Sequence, residues 1–218
     1  MTDEDGNEVG PNEFLPAAER FNLAPKIDRW VFETAFTWLR NNPGMLDNLY
    51  MCGINISGQS LGNEEMLNFL LKELDQDHFP AEKLCIEITE TAAATDIVTA
   101  THFINALRDR GCNFALDDFG TGVSSFYYLK NLPVDFLKID GAFVRDIATN
   151  TIDRAMVRSI NEIGHVMGKK TIAEFVEDTN VLETLRSIGV DFAQGYGIGR
   201  PEPITDYYLE SAAPRKTA

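Results

Sequence analysis

The chain has 218 residues, 44% of them hydrophobic, which is enough for a sizeable core and within the length of a single α/β domain. Its 34 acidic residues against 19 basic ones give a net charge of −15, which repels nucleic acid polymers and anionic membranes, so a phosphate-bearing substrate would need cations as go-betweens. No apolar run approaches the roughly 18 residues of a membrane span and no secretory leader is legible, so the segment is expected to be cytoplasmic, with any membrane anchor lying upstream.

Residues 1–13 are acidic and glycine-rich. Past Pro16 the pattern turns helical: Ile27, Trp30, Val31, Ala35 and Trp38 keep one face, and Asn41-Asn-Pro-Gly ends it. A strand is expected over 50–56, then a helix carrying Leu67, Leu70, Leu71 and Leu74. A second unit follows, with a strand over 84–89 and a helix marked by Ile97, Ala100, Ile104 and Leu107, ended by Gly111. The third strand, Asn113-Phe-Ala-Leu-Asp-Asp-Phe-Gly-Thr-Gly, delivers the adjacent carboxylates Asp117 and Asp118 to a glycine-rich turn. Taken alone, Asp-Asp before Gly is also ordinary turn chemistry.

A short helix over 126–129, a strand over 136–140 and a helix with Ile152, Met156, Ile160, Ile163 and Met167 come next. Strands over 170–173 and 192–194 bring the number to six. Their starts are roughly 20 to 35 residues apart, the spacing of βα units in a parallel sheet. One domain over 1–210 and a frayed tail over 211–218 are expected. Cys52, Cys85 and Cys112 are odd in number and form no Cys-x-x-Cys pair, which reads as buried free thiols in a reducing compartment.

Side chains alternate faces along a strand, so Asn55, Glu87 and Lys138 each point opposite to two apolar neighbours, and Asp117 points opposite to Leu116. Glu174 and Gln194 sit at the ends of the last two strands. Parallel strands are normally covered on both faces, so polar groups at successive C-terminal ends are hard to attribute to solvation. A closed ring gathers all those ends around one mouth, which favours a TIM-like (β/α)8 barrel over an open doubly wound sheet.

The donors offered there are hard oxygens from Asn55, Glu87, Asp117, Asp118 and Glu177, whereas His78, His102 and His165 lie away from every strand end. That composition suits Mg2+ or Mn2+ rather than zinc, and the crowding of carboxylates favours two ions over one. Lys138 reads either as a group that orients water and stabilises charge or as a structural ion-pair partner. Glu174 and Glu177 read as base and ligand, or as the polar first turn of a helix.

In order, the segments Ile54-Asn-Ile-Ser, Glu87-Ile-Thr-Glu, Asp117-Asp-Phe-Gly-Thr-Gly, Leu137-Lys-Ile-Asp, Ala173-Glu-Phe-Val-Glu and Gln194-Gly-Tyr closely resemble the EAL family of bacterial cyclic di-GMP phosphodiesterases. The resemblance implies a barrel that linearises cyclic di-GMP to pGpG with Mg2+ or Mn2+, in bacterial second-messenger signalling. It implies metal ligands at Asn55, Glu87, Asp117, Asp118 and Glu177, a water-orienting Lys138 and a general base at Glu174. Substrate-binding or loop-bracing positions are implied at Gln194, Glu90, Asp140 and Thr121, with Glu90 bracing the loop after the third strand. That loop and the helix after it imply a homodimer contact.

The family often carries Gly where Phe175 stands. The Glu-Ala-Leu strand that names it, and the strand before that, would precede Met1, so the barrel is expected to lack its first two strands here. A fragment of a longer protein with an upstream GGDEF or sensory domain is therefore expected, with weak or no activity in this chain by itself. The competing expectation is a cyclic di-GMP receptor or interaction module that has lost catalysis.

Overall fold

The computed structural model describes residues 5–7, 9–76, 80–120 and 126–203, and the side chains of residues 126–128 are not described. Six strands form one parallel sheet in chain order: β1 (Cys52–Asn55), β2 (Leu84–Thr89), β3 (Asn113–Phe119), β4 (Phe136–Ile139), β5 (Lys170–Ala173) and β6 (Phe192–Ala193). Sequential parallel neighbours joined by helices give a curved α/β half-barrel, with β1 and β6 as its two edges among the described residues.

Local chemistry starts and stops the intervening helices. Asn63 accepts hydrogen bonds from the Glu65 and Met66 amides to open helix Glu64–Leu74, and Asp96 and Asn150 cap Ile97–Arg108 and Thr151–Val166 in the same way. A helix over Thr179–Ile188, which the sequence reading passed over, is opened by Asp178 and closed by Gly189 at a φ of 90°. The first helical stretch is two helices, Pro11–Arg20 and Ala24–Asn41, separated where Asn22 turns left-handed.

The sheet has two unlike faces. Ile54, Ile86, Ile88, Phe114, Leu116, Leu137 and Ile139 point outward into the helices and are buried with Phe32, Phe36 and Phe103, each such side chain contributing about 1.5–3 kcal/mol. The alternate positions Cys85, Ala115, Phe136 and Ile172 form a smaller apolar cluster inside the curve, joined by Met51 and Phe192. Two residues further along, at the same inner face, stand Glu87, Asp117 and Lys138 on their strands and Glu174 just past the end of β5. The interior thus has an apolar floor and a charged mouth.

Tyr50 was expected to begin the first strand. Instead β1 begins at Cys52, and Tyr50 lies against the floor with its ring 5.1 Å from that of Phe192 and its hydroxyl accepting from Lys170 Nζ at 3.0 Å. On the outer side, Asp28 of helix Ala24–Asn41 fastens the segment after β1, its Oδ2 accepting from the Ser57 amide at 2.9 Å and from the Ser57 and Ser60 hydroxyls at 2.6 Å. Thr121, most of the loop expected at a dimer contact, and the 211–218 tail lie outside the described residues. Among the described residues, no helix is long and apolar enough to cross a membrane.

Candidate active site

Alternation alone would send Asp117 into the mouth and Asp118 away from it. The pairing of β3 with β4 shifts register between Leu116 and Phe119, and Asp118 adopts a φ of 57°, a left-handed conformation that Asp tolerates better than most residues. The irregularity brings both carboxylates to one place: ligand oxygens of Asp117, Asp118 and Glu174 all lie within 4.8 Å of one another.

Lys138 stands among them, only 2% exposed. Its Nζ lies 2.7 Å from Glu87 Oε2, 2.9 Å from Glu174 Oε1 and 3.0 Å from Asp117 Oδ1. Burial pushes this ammonium down, but the charges of Glu87, Asp117 and Glu174 outweigh it and hold Lys138 above its ordinary range. The acids feel the converse. Burial raises Glu174 to about 7 against the pull of Lys138, with Asp117 and Asp118 adding to the rise. Burial also raises Asp118, followed by the charges of Asp117 and Asp140. Two raised carboxyls beside a fully engaged ammonium mark a pocket with more negative charge than its lysine balances. Three hard oxygens converging there fit an Mg2+ or Mn2+ ion.

Beyond β5 the chain makes a strained turn at Phe175, with a φ of 52°. The Phe175 ring lies against Gly141 and under the Arg145 guanidinium, 4.4 Å from the ring centroid. Val176 donates to the Gln194 carbonyl at 3.0 Å, and Gly197 donates back to the Val176 carbonyl at 2.8 Å. Any side chain at Gly195 would strike the Val176 backbone, and one at Gly197 would sit 2.7 Å from the Glu177 carbonyl, so only glycine permits this approach. The result is a cleft of about 350 Å³ lined by Glu174, Phe175, Glu177, Gln194, Gly195 and Tyr196.

Most of the residues singled out in the sequence converge on this end of the sheet. Asn55 is exposed on the inner face of β1, in register with Glu87. Glu87 is buried against Lys138 and is not one of the three clustered acids, whereas Glu174, expected as a base, is. Exposed Glu177 shares the cleft with Gln194. Glu90 is buried, accepting from the Gly120 amide at 3.4 Å, while Asp140 caps helix Gly141–Val144 and faces Asp118.

The sequence reading missed Arg145 and Tyr196 as neighbours of the cleft. Tyr196 is the last residue of the quoted segment Gln194-Gly-Tyr, though it was given no role there, and nothing in local spacing marks Arg145. His165 is away from the site, paired with Asp191 at 2.8 Å, and His78 is outside the described residues.

A family model described as "EAL domain" matches residues 1–201. The chain is 44% identical over 202 residues to the cyclic di-GMP phosphodiesterase PdeB of Shewanella oneidensis, covering 93% of this chain and 24% of that protein. It is 34% identical over 218 residues to the cyclic di-GMP phosphodiesterase PdeF of Escherichia coli, covering 100% of this chain and 29% of that one. It therefore spans less than a third of either relative. Among solved structures, the PaMucR phosphodiesterase in complex with c-di-GMP is similar with a TM-score of 0.84 at 30% identity, covering 93% of this chain and 82% of that one. The FimX EAL domain of Pseudomonas aeruginosa bound to c-di-GMP gives 0.84 at 32% identity, covering 93% and 81%. With acids and an amine at consecutive strand ends and a family match over most of its length, the chain belongs to the EAL domain family.

Proposed function

We propose that this domain hydrolyses cyclic di-GMP to linear pGpG, using Mg2+ or Mn2+. The observation that carries the reading is the convergence of Asp117, Asp118 and Glu174 around Lys138 at the C-terminal ends of parallel strands, where barrel enzymes place their chemistry. Asp117 and Asp118 would hold cations, with Asn55, Glu87 and Glu177 as the further oxygen donors at the same end of the sheet. The cations supply neutralisation of the phosphodiester and activation of water.

The protein's own groups do the rest. Glu174, beside Asp117 and Asp118 and in contact with Lys138, is placed to accept the proton of the attacking water. Lys138 orients the attacking water and offsets charge that develops on the phosphate. Gln194 and the aromatic rings of Phe175 and Tyr196 present a polar edge and flat apolar faces along the cleft beside Glu177. Glu90 holds the backbone at Gly120, at the end of the segment that carries both aspartates, and Asp140 fixes the turn that follows Lys138.

The test uses the natural protein that contains this chain, incubated with Mn2+ and cyclic di-GMP and followed by chromatography. Formation of pGpG, lost in Asp117→Asn and Glu174→Gln, is the expected result. Binding of the nucleotide by folded, Mn2+-loaded protein with no turnover would replace the enzyme with a receptor.

A further inference from the structure

An ammonium has three N–H donors. At Lys138 the Nζ donates to Glu87 Oε2 at 2.7 Å and lies in ion-pair contact with Glu174 at 2.9 Å and Asp117 at 3.0 Å, with the side chain 3% exposed. A lysine buried among three carboxylates in this way spends its charge on them rather than on a water molecule or a phosphate oxygen. Two of its three partners, Asp117 and Glu174, are also two of the three acids that converge with Asp118. A cation placed among those three acids would therefore compete with Lys138 for the same carboxylates.

We propose that Lys138 is the resident counter-ion of this pocket, and that entry of a divalent cation at Asp117 and Asp118, beside Glu174, releases the ammonium from Asp117. The inference rests on the cation-dependent reading above and deepens it by making the lysine's availability conditional on the cation. Like charges within a few ångströms in a water-poor pocket repel strongly, so the ammonium opposes cation binding while it holds the acids together. A lysine that served only as a strut would keep its three contacts whatever else bound. One that exchanges keeps its donors from water and substrate until the cation is seated, so that the groups needed for hydrolysis become available together.

Two measurements test this. In the first, wild type, Lys138→Arg and Lys138→Met are titrated with Mn2+ by calorimetry. Lys138→Met is expected to bind at least about tenfold more tightly than wild type, with a lower melting temperature in chelator and a larger rise on adding the ion. Lys138→Arg, which keeps the charge, should stay near wild type.

The second uses wild-type protein carrying isotope-labelled lysine. The Lys138 ammonium signal should be protected from solvent exchange in chelator and lose that protection at saturating Mg2+. This readout decides the matter alone if Lys138→Met fails to fold. Equal or weaker Mn2+ binding by folded Lys138→Met, or protection that persists at saturating Mg2+, would overturn the exchange while leaving the cation site standing. No divalent binding by any folded variant would remove the cation reading and this inference with it.

Discussion

The ring of Tyr50, just ahead of β1, lies 5.1 Å from the ring of Phe192 in β6, so the two edge strands of the sheet are linked across the floor of the half-barrel. Phe192 also meets Phe136 edge-on at 5.9 Å, and Lys170 donates to the Tyr50 hydroxyl at 3.0 Å. Tyr50→Ala should lower unfolding free energy by about 1–2 kcal/mol, and Tyr50→Phe, which keeps the ring, by less than half of that. Urea denaturation of both variants checks it, and a wild-type midpoint for Tyr50→Ala would show that the link carries no load.

Gly141 and Phe175 form a second close fit, at the mouth. A methyl group at position 141 would collide with the Phe175 ring, which is itself held beneath Arg145. Gly141→Ala is therefore expected to cost about 1–3 kcal/mol, the usual range for overpacking. Adding Phe175→Gly removes the obstacle and a strained φ together, so the double variant should recover most of the loss. Equilibrium unfolding of the single and double variants would expose the steric account as wrong if the second change brought no recovery.

Asp118 illustrates a conflict between stability and use. Burial, Asp117 and Asp140 all raise its pKa, so a charged Asp118 opposes folding at neutral pH. Asn keeps the shape and tolerates the left-handed backbone. Asp118→Asn should thus melt higher than wild type in chelator at neutral pH, yet bind Mn2+ at least about tenfold more weakly. Thermal scans with and without Mn2+ read both quantities; a lower melting point in chelator would contradict the repulsion argument.

Away from the mouth, Asp191 sets an acid limb to stability. Partial burial pushes its carboxyl up, but hydrogen bonds from the Thr171 amide and His165 outweigh this and hold it below its ordinary value of 3.8. A carboxyl whose folded pKa is depressed stabilises fully above the unfolded value, and that contribution is lost as pH falls through the folded one. Asp191→Asn should therefore lose stability near neutral pH and show a shallower decline than wild type from about pH 5 to about pH 2. Parallel acid limbs in the two proteins would show that Asp191 is not responsible.

Much of this layout was legible in the sequence. Short apolar runs interrupted by one polar residue placed Asn55, Glu87, Asp117 and Lys138 on a common face, because alternation along a strand needs no tertiary information. Asp118 was harder: its orientation depends on a register shift against β4, which exists only once the strands pair. The approach of Glu174 to Lys138 likewise follows from the pairing of β5 with β4, which sets the two strand ends side by side. Tyr50 looked like the first residue of a strand because an aromatic ring suits strand and floor equally well. Arg145 gave no sign, since its partner Phe175 lies in another βα unit.

The stacking of an apolar floor beneath a charged mouth also constrains how such a sequence can change over time. On β2, β3 and β4 the floor residue lies two positions before the mouth residue, Cys85 before Glu87, Ala115 before Asp117 and Phe136 before Lys138, a rise of about 6.6 Å. Enlarging Ala115 to gain durability would lift or rotate the strand that aims Asp117. Lineages that adapt to heat therefore have freer choice on the helix-facing side of the sheet, where a bulkier neighbour leaves the aim of the acids alone.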